Sequence, residues 1–210
     1  MLPSFAHRWL LPRLARWRER HPQLALEIDA SYRTVDLVRE GFHAAVREGH
    51  GPWPGLHSQR LFEQQAIVVG SPAAARRLEG APVDAFAREP LLGEDVTWND
   101  WFAAAGLAIG VRPVASFNDA GLMLQAAEQD LGIAISREML AADALVAGRL
   151  VKLSPVVISH PDVRPYHFVY PPHLEDWPPL VSLRTWLREE IEQSQRSLQA
   201  ATRKRGVRTR

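Results

Sequence analysis

The chain has 210 residues, 46% of them hydrophobic and 23% charged, with a formal net charge of +1. That length can bury a sizeable core, and the near-neutral balance does not by itself call for a nucleic-acid partner. The absence of cysteine excludes disulfides, thiol nucleophiles and Cys-ligated zinc; no run reaches the ~18 apolar residues of a membrane span, and the arginine-interrupted N-terminus does not read as a secretory signal, so the expectation is a cytoplasmic protein without a membrane partner.

Ser4 is placed to cap a helix running from Phe5. Leu10, Leu14 and Trp17 fall on one helical face with Leu11 beside them, and Pro12 predicts a kink or restart. Arg13, Arg16, Arg18, Glu19 and Arg20 read as the wet side, and His21-Pro22 as the stop. Leu24, Leu26 and Ile28 alternate with Ala25, Glu27 and Asp29, the pattern of a strand. After the turn Ser31-Tyr32-Arg33-Thr34, with Thr34 as cap, a short helix over Val35, Leu37 and Val38 is predicted to stop at Gly41. Phe42 to Val46 is a brief apolar run suited to a buried strand. The loop Gly49-His50-Gly51-Pro52-Trp53-Pro54-Gly55 follows, stiffened by two prolines and freed by three glycines. A loop at the carboxyl end of a parallel strand is a common ligand site. Helix, strand, helix, strand points to βαβ units and a parallel sheet, although no strand precedes the first helix.

Arg60 to Gln64 and Ala66 to Gly70 are two further strand segments. Ser71-Pro72 opens a helix that Gly80 stops; Val83 to Arg88 is a short helix and Pro90 to Gly93 a short strand. Thr97 is placed to cap a helix whose Trp98, Trp101, Phe102 and Ala105 form an apolar face. Pro113 to Phe117 reads as a strand, and Asn118-Asp119 begins a helix with Leu122, Met123, Ala126 and Ala127 inward, closed by Gly132. Ile133 to Ile135 is a buried strand, Arg137 to Ala147 a helix, Arg149 to Leu153 a strand, and 154–165 a proline-rich connector. Tyr166 to Tyr170 is a strand, and Trp177-Pro178-Pro179 opens a long helix with Leu180, Leu183, Leu187 and Ile191 on one stripe. Glu189, Glu190 and Glu192 on that helix read as solvated, and residues 201–210 as a disordered basic tail.

The segments PSFAHRWLLPRLARWRERHPQLALEI at 3–28, VDLVREGFHAAVREGHGPWPGL at 35–56 and FVYPP at 168–172 resemble the effector-binding (substrate-binding) domain of LysR-type transcriptional regulators. WPGL at 53–56 resembles the branch with the glycine-cleavage activator and the β-lactamase regulator. The likeness covers residues 3 to about 194. It implies an α/β fold of the type 2 periplasmic-binding-protein kind, two lobes with a ligand cleft between them. Residues 1–65 and 166–200 would form the first lobe, lacking most of its first strand, and 66–165 the second. The family's winged helix-turn-helix is absent from these residues, so DNA contact is expected only through such a domain elsewhere.

The expected ligand is a small polar or anionic metabolite. Ser4 and Phe5, at a helix start that the resemblance places at the cleft, are candidates to contact it. Ser31, Tyr32 and Arg33 lie in the next loop; Arg33 either clamps a carboxylate or pairs with Asp36. Arg47 ends a strand, and Trp53 either walls the cleft or braces the hinge. Phe117 and Asn118 form the corresponding turn of the second lobe, with Asn118 as a helix cap the alternative. Tyr166, with His167, lies on the returning strand. The chain carries no HExxH, GxSxG or Walker sequence, so no catalytic residue, metal or cofactor is assigned and the protein is not expected to be an enzyme. The family reading implies a homodimer or a mixed oligomer with full-length subunits; the alternative is a stand-alone solute-binding protein.

Overall fold

The computed structural model describes residues 1–158 and 164–208, with side chains through Arg203. The helices are α1 (Pro3–Phe5), α2 (Leu14–Arg20), α3 (Pro72–Arg77), α4 (Asp95–Ala104), α5 (Ala120–Glu128), α6 (Glu138–Val146) and α7 (Pro178–Arg208). The strands are β1 (Ala45–Glu48), β2 (His57–Phe62), β3 (Ala66–Gly70), β4 (Leu91–Leu92), β5 (Ile133–Arg137), β6 (Val151–Ile158) and β7 (Tyr166–Tyr170). The chain forms two compact units, residues 1–64 with 164–197, and 65–163 with 198–210. Among the described residues no helix is long and apolar enough to cross a membrane.

The first unit holds a three-stranded sheet of order β1-β7-β2, antiparallel throughout. Its helical layer begins with α1, passes through a π-helical turn (Ala6–Leu10) and a 3₁₀ turn (Leu11–Arg13), and ends in α2. The wide turn, with the Leu11 N–H bonded to the Ala6 carbonyl, carries the chain past Pro12, which has no N–H to give. It also rotates the helix face. Trp9, Leu10, Arg13 and Trp17 turn inward while Leu11 faces solvent.

Arg13, predicted to be wet, is only 5% exposed. Its Nη1 donates to the Trp9 carbonyl at 2.6 Å and its Nη2 to Ser194 Oγ at 3.0 Å, and its guanidinium lies 4.6 Å over the Trp9 ring. Glu190 is likewise 6% exposed rather than solvated. Arg16 donates to it through Nε at 2.9 Å and Nη2 at 2.5 Å, with Arg13 at 3.8 Å. Arg20 and Glu189 pair at the exposed edge of the same face. On α7, Leu180, Leu187 and Ile191 are buried as the stripe predicts, joined by Trp186.

The second unit is a four-stranded sheet, β4-β5-β3-β6. Only β4 and β5 run parallel; β3 is antiparallel to both of its neighbours. The parallel sheet expected from residues 5–46 is corrected in the first unit, where residues 24–28 join no sheet and β1 and β2 both pair antiparallel with β7; the second unit is mixed as well. A period-2 or all-apolar pattern reports burial, not strand direction, and β3 runs counter to the strands beside it. All five residues of β3 are buried. Trp98, Trp101 and Phe102 of α4 close over this core with Phe86, the two tryptophans meeting edge-on at 5.8 Å. The predicted 113–117 strand reduces to a parallel bridge of Ala115 to Leu92.

β6 extends through Pro155, which the sequence assigned to a connector. Its register against β3 slips between Ile67 and Val69, so the proline sits where no ladder bond is needed. Ser154 Oγ accepts from the Val156 N–H there at 3.1 Å. Residues 159–163 of the connector lie outside the described residues, as do Thr209 and Arg210 of the tail; the backbone of α7 continues helical to Arg208 where disorder was expected.

Several caps differ from their predicted positions. Leu2, not Ser4, precedes α1, with Pro3 at the first helical position. α4 begins after Glu94, which leaves Thr97 inside its first turn. α5 is capped by Asp119 and not Asn118, its Oδ1 accepting from Gly121 at 2.8 Å and Leu122 at 3.1 Å. Leu122 points outward and Leu124 inward, and the left-handed residue after α5 is Asp130, not Gly132. Gly132 has another reason: a Cβ there would lie 2.4 Å from the Pro90 carbonyl oxygen.

Candidate functional site

The candidate site of the first unit forms where β1 and β7 pair. Arg47 stands opposite His167, and Glu48 opposite Tyr166. From Glu48 the chain enters the glycine loop, whose Gly49 N–H donates to the Pro165 carbonyl at 3.0 Å. Gly51, at φ +67°, leaves room for the Trp53 ring; a Cβ would stand 3.2 Å from it. The same ring meets His167 edge-on at 5.0 Å. Trp53 thus braces its own loop against β7. Burial lowers the His167 pKa, with the nearby backbone at Pro165 and Gly49 acting the other way.

Arg47 reaches back across the preceding segment, its Nη2 donating to the Val35 carbonyl at 2.6 Å. Burial lowers its pKa, with Asp36 acting the other way. Residues 36–40 form a single turn rather than the predicted helix, with the Glu40 N–H bonded to the Asp36 carbonyl at 2.9 Å. Asp36, not Thr34, caps it: its Oδ1 accepts from the Arg39 N–H at 3.1 Å, while Glu40 Oε1 accepts from the Asp36 N–H at 3.0 Å. Gly41 closes the turn at φ +76° as expected. Leu37 is buried and Val38 exposed.

The loop 31–34 leads into this turn. Ser31 is half-buried, its N–H bonded to the Met1 carbonyl at 3.0 Å, and Tyr32 is 54% exposed. Arg33 pairs with Glu40 and not with Asp36, through two hydrogen bonds of 2.9 and 2.6 Å. That pairing holds the Glu40 carboxyl below its ordinary range.

The side chains of Ser31, Tyr32, Arg47 and Trp53 offer hydroxyl groups, a half-buried guanidinium and an indole. They do not form a nucleophile and base. Among the described residues no cluster of three or more His, Asp or Glu side chains could hold a metal ion.

The family model for the LysR substrate binding domain matches residues 1–192. The chain belongs to that family. It is 35% identical over 150 residues to the HTH-type transcriptional activator AmpR of Citrobacter koseri, covering 71% of this chain and 52% of that protein. It is 32% identical over 157 residues to the glycine cleavage system transcriptional activator of Escherichia coli K12, covering 72% and 51%. The chain spans about half the length of the curated relatives it matches. The effector domain of the transcriptional regulator AmpR of Pseudomonas aeruginosa superimposes with a TM-score of 0.73 at 28% identity, covering 93% of this chain and 94% of that one. The fold is thus that of the LysR effector-binding domains, the periplasmic-binding-protein-like architecture that the sequence motifs implied. The family is one of transcriptional-regulator domains and not of enzymes.

Within this LysR-family domain the sequence candidates separate. Arg47 and Trp53 share the β1–β7 end through His167. Ser4 is buried in α1 beside Phe5. No part of Phe5 is exposed, and its ring stacks on Trp9 at 5.0 Å and on Tyr166 at 5.1 Å. The Tyr166 ring is equally buried, stacked on Phe62 at 5.0 Å. Phe62 was missed, although an aromatic in the middle of a predicted strand is a recognisable packing signal. Phe117 and Asn118 lie in the second unit, Phe117 half-buried and Asn118 exposed.

Proposed function

We propose that this domain binds a small polar or anionic metabolite and, through attached or partner DNA-reading domains, regulates transcription. The family match over residues 1–192 carries this reading. Ser4, Ser31, Tyr32, Arg47 and Trp53 are the proposed contacts in the first unit, with Phe117 and Asn118 in the second. Arg47 supplies the cation for an anionic group, since Arg33 is already engaged by Glu40. The protein works in the cytoplasm as a homodimer or a mixed oligomer with full-length subunits, and its ligand shifts the population of two arrangements of that assembly.

A thermal-shift screen of amino acids and organic acids tests the reading. A ligand at one hundred times its Kd stabilises the folded domain by about 2.7 kcal/mol. Ser4→Ala and Arg47→Ala are expected to reduce that shift at the same ligand concentration. If both variants keep every shift of the wild type, the site is misplaced; if a complete screen gives no shift, the ligand class is wrong.

A further inference from the structure

The near-neutral net charge hides a segregation. All 24 acidic residues lie in 1–192, together with 19 of the 25 basic ones, and residues 193–210 hold the other six. The boundary coincides with the end of the family match at residue 192, so the basic segment lies outside the matched family pattern. α7 carries it with a continuous helical backbone as far as Arg208. The buried stripe of that helix stops earlier. Leu187, Ile191 and Ser194 are buried, whereas among residues 195–203 only Ser197, Leu198 and Ala201 are even half-buried. Arg196 and Arg203, seven places and ~10.5 Å apart on one helical face, are both exposed. Arg196 stands 3.7 Å from Glu192, the last acidic residue of the sequence. Arg203, Lys204, Arg205 and Arg208 follow with no acidic neighbour in sequence. A single cation in the last turn answers the negative end of the helix dipole. Four within six residues repel one another, and a polyanion lying alongside relieves that repulsion.

We infer that residues 196–208 of α7 form a contact for the phosphate backbone of duplex DNA, without base readout. B-DNA carries one charge per ~1.7 Å of its axis, a continuous counterpart to closely spaced cations. The acidic balance of residues 1–192 repels the same polyanion, so the end of α7 is the part that approaches it. A membrane surface fits less well. An interfacial helix needs a broad apolar face, and residues 193–208 offer only Leu198 and Val207 besides two alanines and a glycine. Such a contact goes beyond the metabolite reading and does not depend on it: this chain touches DNA itself, in addition to any attached or partner DNA-reading domain.

Fluorescence anisotropy of the full chain against a random-sequence duplex about two turns long, across a salt series, tests the contact. Five phosphate contacts give a slope of log K against log salt of about −4.5, a loss of roughly 500-fold between about 50 and 200 mM salt. The combined variant Arg203→Gln, Lys204→Gln, Arg205→Gln and Arg208→Gln is expected to bring the slope to about −1 and to weaken binding at the lower salt by about tenfold or more. The replaced positions come after Ser194, the last buried residue described on α7, so the melting temperature should stay that of the wild type. A control variant loses the same charge elsewhere, at the exposed Arg18, Arg39, Arg88 and Arg112, and should keep the wild-type slope. Absence of duplex binding at about 50 mM salt overturns the proposal. So does an unchanged slope in the first variant, or an equal fall in the control, which makes net charge the cause. Tighter binding to vesicles of equimolar phosphatidylcholine and phosphatidylserine than to the duplex makes the partner a membrane surface and overturns it too.

Discussion

The two sheets of this molecule are built to different degrees of closure. In the second unit β3 is buried along its whole length and paired on both sides, and three aromatic side chains of α4 seal it. In the first unit β7 alone is paired on both sides; β1 is an edge, and among the described residues 25–30 join no sheet ladder. The first unit compensates through its helices. Phe5, Trp9, Phe62 and Tyr166 stack into one aromatic core, and Arg13, Arg16 and Glu190 lock the first helical layer to α7. A closed sheet holds itself, whereas an open one leans on helix packing, and the candidate ligand contacts Arg47 and Trp53 lie on the open one.

That contrast can be broken by substitution. Glu190→Ala leaves Arg13 buried without its carboxylate, and the expected loss is about 3–5 kcal/mol in urea unfolding. Trp98→Ala should cost the second unit a similar ~3–5 kcal/mol by opening a cavity. If Glu190→Ala proves neutral, the helix layer does not support the first unit as argued. Gly132→Ala forces a Cβ onto the Pro90 carbonyl, and about 1–3 kcal/mol of destabilisation is expected. Ser71→Ala removes the cap of α3, whose Oγ accepts from the Ala74 N–H at 3.0 Å, for ~1 kcal/mol.

The smallest effect concerns pH. Burial lowers the His167 pKa, so between its folded and unfolded values the unfolded chain binds more protons. Stability should therefore fall as pH drops through the unfolded value and towards the folded one. A series of melting temperatures across this window should show a shallower fall for His167→Gln than for the wild type.

Much of this architecture was legible in the sequence. Ser71-Pro72, Gly41, Gly80 and Gly148 punctuate the chain where the structure turns, and the 3–28 and 35–56 motifs carry the family's fold in the sequence itself. What stayed hidden depended on geometry that a linear pattern does not carry. The π turn before Pro12 rephased the first helix and brought Arg13 inside. Strand direction in the second unit could not be read from apolar runs. Glu190 looked like its neighbours on α7 and was distinguished only by the arginines facing it. At the candidate site, Arg33 and Arg47 were indistinguishable as cations until the structure showed that Glu40 holds one of them.

Calorimetric titration of one ligand from the thermal screen, run on the wild type, Arg47→Ala and Arg33→Ala, tests that distinction most directly. Loss of a charge-assisted hydrogen bond of about 1.5–3 kcal/mol predicts that Arg47→Ala weakens binding roughly 10- to 100-fold. Arg33→Ala, which removes an exposed ion pair, should change it by no more than about threefold. The reverse order, with Arg33→Ala abolishing binding and Arg47→Ala leaving it intact, would contradict the account.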